Sequence, residues 1–171
     1  MHPTAYEEVR KFTGRLPEHE LSIADIGACN VNGCLRPLFN KPRWKYTGLD
    51  VAPGRNVDIV IGHDRWPNIP NETYDVLVTV STLEHTKHPW LIVQEMFRVT
   101  KRGGLVCIVA PYGWEHHAFP IDCYRFFPDG MRAMMDLAGY EVTDCFMVPY
   151  DIPSLKVPSL KGDTIGIGIR R

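Results

Sequence analysis

Seven short apolar stretches, separated by turns and amphipathic segments, constrain this chain most. They are "LSIADI" (21–26), "KYTGLD" (45–50), "VDIVIG" (57–62), "YDVLVTV" (74–80), "LVCIVA" (105–110), "YEVTDCFMV" (140–148) and "TIGIGIR" (164–170). Several are apolar at both odd and even positions, which suits strands covered on both faces of a parallel sheet. "TAYEEVRKFTGRL" reads as a helix ending near Gly14. "HPWLIVQEMFRVTKRGG" reads as a second helix, opened by Pro89, closed by bases and Gly103–Gly104, with Ile92, Val93, Met96, Phe97 and Val99 inward. The bases of "KRGG" then read as a solvated helix end. "PDGMRAMMDLAGY" reads as a third helix that buries Met131, Met134, Met135 and Ala138. A methionine stripe at that spacing is a core face before it is a substrate surface.

Strands alternating with helices imply an α/β doubly wound sheet. Only "VAPGRN" separates the second and third strands. A crossover helix needs about 10–12 residues or more, so a tight loop is expected there. "VPYDIPSLKVPSLKGD" (148–163) is proline-rich and reads as a long surface loop.

The 171 residues fit a single domain, 1–171, of ordinary composition, 44% hydrophobic and 23% charged. A formal net charge of −1 argues against a broad nucleic-acid footprint. No apolar run reaches the roughly 18–20 residues of a membrane span, and "MHPTAYEEVRKF" lacks a signal-peptide core. Five scattered cysteines without a CxxC pair suit free thiols in a reducing, cytoplasmic setting.

The turn after the first stretch carries the functional signal. In doubly wound sheets ligands sit beyond the carboxyl ends of the strands. Here the first strand ends at Asp25–Ile26–Gly27 and the second at Gly48–Leu49–Asp50. An acid at that second end can accept from both hydroxyls of a ribose. A dinucleotide calls for GxGxxG, so that its pyrophosphate rests on a helix N-terminus. Gly27-Ala28-Cys29-Asn30-Val31-Asn32-Gly33 lacks the middle glycine. S-adenosylmethionine carries no phosphate, and Asn30 and Asn32 could help hold its amino-acid tail. The rival is an ordinary strand-to-helix turn.

The segments "DIGACNVNGCLRPLF", "YTGLDVAPGRNVDIV", "YDVLVTVSTLEHTKHPW", "EMFRVTKRGGLVCIVAP" and "HAFPIDCYRFFPDGMRAMMDLAGYEV", in that order, resemble the class I S-adenosylmethionine-dependent methyltransferases, in particular the small type 11 group, over about residues 20–148. The resemblance implies a mostly parallel seven-stranded sheet whose last strand, "TIGIGIR", is antiparallel. It implies that Asp25, Gly27 and Ala28 shape the methionine turn, that Asp50 holds the ribose and that Asp64 meets the adenine amine. It places "STLEH" (81–85), with Ser81 and Leu83, along the cofactor and substrate side. Trp66, just after Asp64, is the best-placed ring for the adenine edge, whereas Trp44 and Trp90 suit core or helix packing. The sequence departs from the family by having only Gly27 and Gly33 in the turn and no large substrate-covering insertion.

Methyl transfer leaves a neutral thioether, so alignment of the acceptor lowers much of the barrier. A hydroxyl or amine acceptor must still lose a proton. "WEHHAFPIDCYRF" offers His117 as base, Asp122 or Arg125 to order it, and Trp114, Tyr124 and Arg125 to contact substrate. The structural alternative is an Asp122–Arg125 clamp with His117 capping a helix. His85 is a second candidate base; the alternative is a bond to a loop carbonyl. His88 suits the cap of the second helix. His85, His116, His117, Asp122 and Cys123 lack the paired short spacings of a zinc site, so no metal is expected.

The expectation is therefore methyl transfer from S-adenosylmethionine, giving S-adenosylhomocysteine, to an oxygen or nitrogen of a small molecule or sugar. "VSTL" stands where base-amine methyltransferases carry an "NPPY"-type tetrad, which argues against a nucleic-acid substrate. A membrane partner is not expected, and a homodimer is left open. Two alternatives stand: a cofactor-binding subunit or regulator without turnover, and an NAD(P)-dependent oxidoreductase.

Overall fold

The computed structural model describes residues 2–150 and 160–171. All seven apolar stretches form strands: β1 Leu21–Ile26, β2 Trp44–Asp50, β3 Ile59–Val60, β4 Tyr74–Val80, β5 Thr100–Gly113, β6 Glu141–Pro149 and β7 Gly162–Ile169. They make one sheet in the order β3-β2-β1-β4-β5-β7-β6. The first five run parallel, and β7 is antiparallel to both β5 and β6. The strand order reverses between β1 and β4, which places the ligand crevice at their carboxyl ends.

Three helices, α1 Pro3–Thr13, α2 Pro89–Val99 and α3 Pro128–Ala138, cover the sheet. Each has proline in its first turn, where the missing N–H costs nothing. Val9 and Phe12 of α1 bury one face against Ile23, Val78 and Val109. Val93 and Met96 of α2 and Met131 and Met135 of α3 bury the other against Leu77 and Ile108. The methionine stripe is therefore core. Gly166 of β7 makes room for it, since a Cβ there would lie 2.6 Å from Met135 Sδ.

Some expectations need correction. α2 ends at Val99, and Lys101 lies in β5, where its Nζ is 2.8 Å from Asp75 Oδ2. It is not the end of a solvated helix. The side chain of His88, at the N-cap of α2, makes no capping bond and faces Asp64 instead. Trp90 is 39% exposed. β6 and β7 take the two ends of the stretch 148–163, and residues 151–159 of it lie outside the described residues.

No helix joins β2 to β3, as the short "VAPGRN" link requires. β3 pairs only Leu49↔Ile59 and Asp50↔Val60, so the chain need retreat only about 7 Å, or two strand residues. The strand-to-helix turn, the rival reading of Gly27–Gly33, is not found either. After Gly27 the chain runs as turn and loop to a short 3-10 turn, Arg36–Phe39. Phe39 from that turn and Leu35 before it fill the core that a helix would cover.

Candidate active site at the carboxyl edge of the sheet

The edge divides into two parts. On the β1–β3 side, Gly27 has φ +78, and a Cβ on it would lie 2.1 Å from Thr82 Oγ1. Only glycine fits there. The N–H groups of Gly27 and Ala28 both donate to Leu49 O, at 2.9 and 3.1 Å. Asp50 Oδ2 accepts from the Cys29 N–H at 2.9 Å and Oδ1 from the Ala52 N–H at 3.3 Å. Lone pairs remain on both oxygens.

Loop 51–57 is stitched to the turn after β1. Asn30 N–H donates to Arg55 O and Asn56 Nδ2 to Ala28 O, at 2.9 and 2.8 Å. Arg36 donates to Asn56 Oδ1 and to Asp58 Oδ2, both at 2.6 Å. Asn30 Oδ1 accepts from the Gly33 N–H, so its side chain shapes the turn; Asn32 is exposed.

Asp25 differs from its expected neighbours. It is buried, and Tyr46 donates to its Oδ2 at 2.5 Å. Burial pushes its carboxyl up to about 7; the Tyr46 bond opposes this and nearby Asp50 adds to it. Asp25 thus supports the turn from beneath. Asp64 is at the edge, 41% exposed, and accepts from His88 Nδ1 at 3.2 Å. Trp66 is not an adenine platform. It is fully buried among core side chains, and its indole N–H donates to Gly62 O at 3.0 Å. Leu83 is likewise a fully buried core residue, while Ser81, half-buried with φ +51, lies at the edge.

The second part lies beyond β4 and β5. The segment 114–126 is drawn onto the short 3-10 turn Leu83–His85 by Cys123 N–H donating to Glu84 O at 2.7 Å. His85 Nδ1 lies 2.7 Å from Ile121 O, and His117 Nδ1 lies 2.9 Å from Glu115 O. A carbonyl only accepts, so Nδ1 carries the proton in each ring and Nε2 offers a lone pair. The rings sit 5.0 Å apart, edge to face. Burial lowers the pKa of His85, which favours the neutral form that a base needs.

Asp122 anchors the segment. Its side chain is 2% exposed, Arg125 Nη1 and Nη2 grip its two oxygens, and its Oδ2 also accepts from the His117 N–H at 2.8 Å. The Arg125 bonds hold the Asp122 carboxyl well below the usual range. Arg125 also donates to Trp114 O and Glu115 O. Its donors thus form a clamp within the segment, while His117 caps no helix. Tyr124 donates its hydroxyl to Lys87 O. Trp114, 38% exposed, has its ring 5.3 Å from Tyr150.

Sequence reasoning missed Glu84. It is 1% exposed, and its Oε2 has no hydrogen-bond partner. Burial raises its carboxyl to about 8, with Asp163 adding to the effect. The only signal was its place next to His85.

Residues 24–108 match the family described as "Methyltransferase domain", type 11. A curated rice relative (Oryza sativa subsp. japonica), named 2-methyl-6-phytyl-1,4-hydroquinone methyltransferase 1, is 26% identical over 125 residues, covering 67% of this chain. The chain spans 36% of that relative's length. A Haloferax volcanii protein solved in complex with the Trm112 methyltransferase activator shares the fold. It is 17% identical, with a TM-score of 0.72 over 97% of this chain and 90% of its own. So does the Burkholderia thailandensis 1,6-didemethyltoxoflavin-N1-methyltransferase with bound S-adenosylhomocysteine. It is 11% identical, with a TM-score of 0.73 over 98% and 77%. Sheet order and family match agree: the fold is that of the class I S-adenosylmethionine-dependent methyltransferases, and residues 24–108 match the type 11 methyltransferase domain.

Proposed function

We propose that this protein transfers a methyl group from S-adenosylmethionine to an oxygen or nitrogen of a small molecule or sugar. When bound, the cofactor supplies an activated methyl group on a sulfonium. The donor set fits it: Asp50 keeps lone pairs for the ribose hydroxyls, Asp64 is an exposed acceptor for the adenine amine, and the turn at Gly27–Ala28 lets backbone come close to the amino-acid tail. His117 and His85 receive the acceptor's proton, and Asp122 positions His117 through its backbone N–H.

The observation that carries this reading is the pair of Nε2 lone pairs held at the same sheet edge as Asp50, each set by a carbonyl behind it. The rice relative is named for a hydroquinone and the Burkholderia enzyme for a nitrogen of its substrate; both acceptors are small molecules. Among the described residues no helix is long and apolar enough to cross a membrane.

The oxidoreductase alternative loses support, because no helix N-terminus follows Gly27 to receive a pyrophosphate. The cofactor-binding subunit keeps some, because the usual helix after the turn is absent and a relative in fold was solved with an activator. Thermal unfolding with S-adenosylhomocysteine or NAD(P) at 100 times the dissociation constant separates the ligands, since a bound one stabilises by about 2.7 kcal/mol. Methyl-release assays across phenol, amine and sugar acceptors then test turnover. A shift with the dinucleotide alone would overturn the proposal. Cofactor binding without turnover on any acceptor would favour the subunit.

A further inference from the structure

Glu84, His85 and His117 each bring a ligand atom to one point, with all three atoms within 4.8 Å of one another. No other group of three histidine, cysteine or acidic side chains converges in this way among the described residues. We infer that this trio binds a divalent transition-metal ion of the zinc class, through Nε2 of each histidine and a carboxylate oxygen of Glu84.

Three independent features point there. The first is the tautomer. Both Nδ1 atoms are engaged with backbone carbonyls, of Ile121 and Glu115, so both Nε2 atoms are free to ligate. Carbonyl partners on the distal nitrogen are the usual outer support of metal-bound histidines. The second is Glu84 itself. Its Oε2 is shielded from water and accepts no hydrogen bond, which is costly, and a cation held by this carboxylate through Oε1, the oxygen on the His85 side, would offset the cost of burying it. Glu84 Oε1 lies 3.7 Å from His85 Nε2, too far for a hydrogen bond to satisfy the pair. The third is rigidity. The Asp122–Arg125 clamp and the Cys123–Glu84 backbone bond fix the two segments that bear the ligands.

Ligand atoms around tetrahedral zinc stand about 3.3 Å apart, given bonds near 2.0–2.1 Å. The three atoms now stand up to 4.8 Å apart, and His117, the most exposed of the three, has the most room to move toward that spacing. Three protein ligands with an open position match catalytic rather than structural zinc sites. With the ion bound, both Nε2 lone pairs are ligands and no longer take the acceptor's proton; the open position would instead take an oxygen of the methyl acceptor, and the ion would ease its deprotonation. That part rests on the methyl-transfer reading and replaces the histidines as base, whereas binding of the ion does not depend on it.

The test is titration of the metal-stripped full chain with Co²⁺, followed by its visible absorption, and with Zn²⁺ by calorimetry. One ion per chain is expected, with the visible bands of a low-coordinate cobalt–histidine site. His85→Ala and His117→Ala should each weaken binding by about 100-fold or more, and Glu84→Gln by about tenfold or more. His19→Ala, on an exposed turn, and Cys123→Ser should leave it unchanged. His117 is partly exposed, so its variant keeps the test alive if the other two unfold. Absence of a bound ion, or the same bands in His117→Ala, overturns the site. Calorimetry of S-adenosylhomocysteine on the unsubstituted protein is run alongside. Cofactor binding without metal binding defeats this inference alone; metal binding without cofactor binding defeats the methyl-transfer reading alone.

Discussion

Arg125 holds both carboxylate oxygens of Asp122, at 2.6 and 2.7 Å, over a site where only 2% of the Asp122 side chain meets solvent. Removing one partner of such a buried pair leaves an uncompensated charge. Arg125→Ala should therefore cost about 3–5 kcal/mol in urea unfolding. A loss below 1 kcal/mol would show that the clamp does not organise the segment.

The same carboxylate predicts an acid limit. Its folded pKa is depressed by Arg125, so its contribution is complete above the unfolded value near 4 and is lost as pH falls below that. Asp122→Asn should flatten the fall in stability below about pH 4, as read from unfolding midpoints in acid.

Asp25 should act with the opposite sign. Burial raises its folded carboxyl to about 7, so the folded state retains a proton that the unfolded chain gives up near 4. Stability should decline as pH rises from about 4 to 7 through this carboxyl, alongside the buried Glu84 and Asp163, whose carboxyls are raised to about 8 and about 6. Asp25→Asn keeps an acceptor for Tyr46 and should reduce that slope by the share of one carboxyl. An unchanged slope would place the ionisation elsewhere.

At Gly27, φ +78 and the contact with Thr82 impose separate penalties. Gly27→Ala should destabilise by about 2–4 kcal/mol through strain and overpacking. Adding Thr82→Ala removes the Oγ1 and Cγ2 contacts but leaves Cβ at 2.9 Å, so it should restore part of the overpacking penalty and leave about 1 kcal/mol of backbone strain untouched. Full recovery in the double variant would mean that the backbone there is not strained.

Asp50 is the sharpest test on the cofactor side. Asp50→Ala should weaken S-adenosylhomocysteine by about 10- to 100-fold, the equivalent of one or more charge-assisted hydrogen bonds. Calorimetry showing the same affinity would remove Asp50 from the ribose role.

The sheet was legible because strand pattern depends on local sequence. "YDVLVTV" and "LVCIVA" are short, valine-rich and apolar on both parities, which suits strands covered on both faces, and each face does meet a core. The two missing helices had unequal signals. "VAPGRN" is too short for one, whereas the stretch from Cys29 to Phe39 is long enough and is kept from helix by contacts made at long range, above all Arg36 to Asn56 and Asp58. The site was legible as a set of residue types but not as geometry. Trp66, two residues after Asp64, turns inward in the loop after β3, where its indole N–H donates to Gly62 O and its ring joins the core, contacts that the local sequence does not encode. Glu84 went unnoticed because burial, which no short motif encodes, gives it its chemistry.

The stitching of loop 51–57 to the turn after β1 also has a kinetic consequence. Bonds from Asn30, Asn56 and Arg36 tie the two loops at several points, so neither can swing aside alone. Any adenosine reaching Asp50 must arrive with both loops closed or wait until both lift together. Arg36→Ala, which removes two of these bonds without touching Asp50, should quicken cofactor arrival and departure alike, a change that stopped-flow mixing would register even where equilibrium titration recorded none.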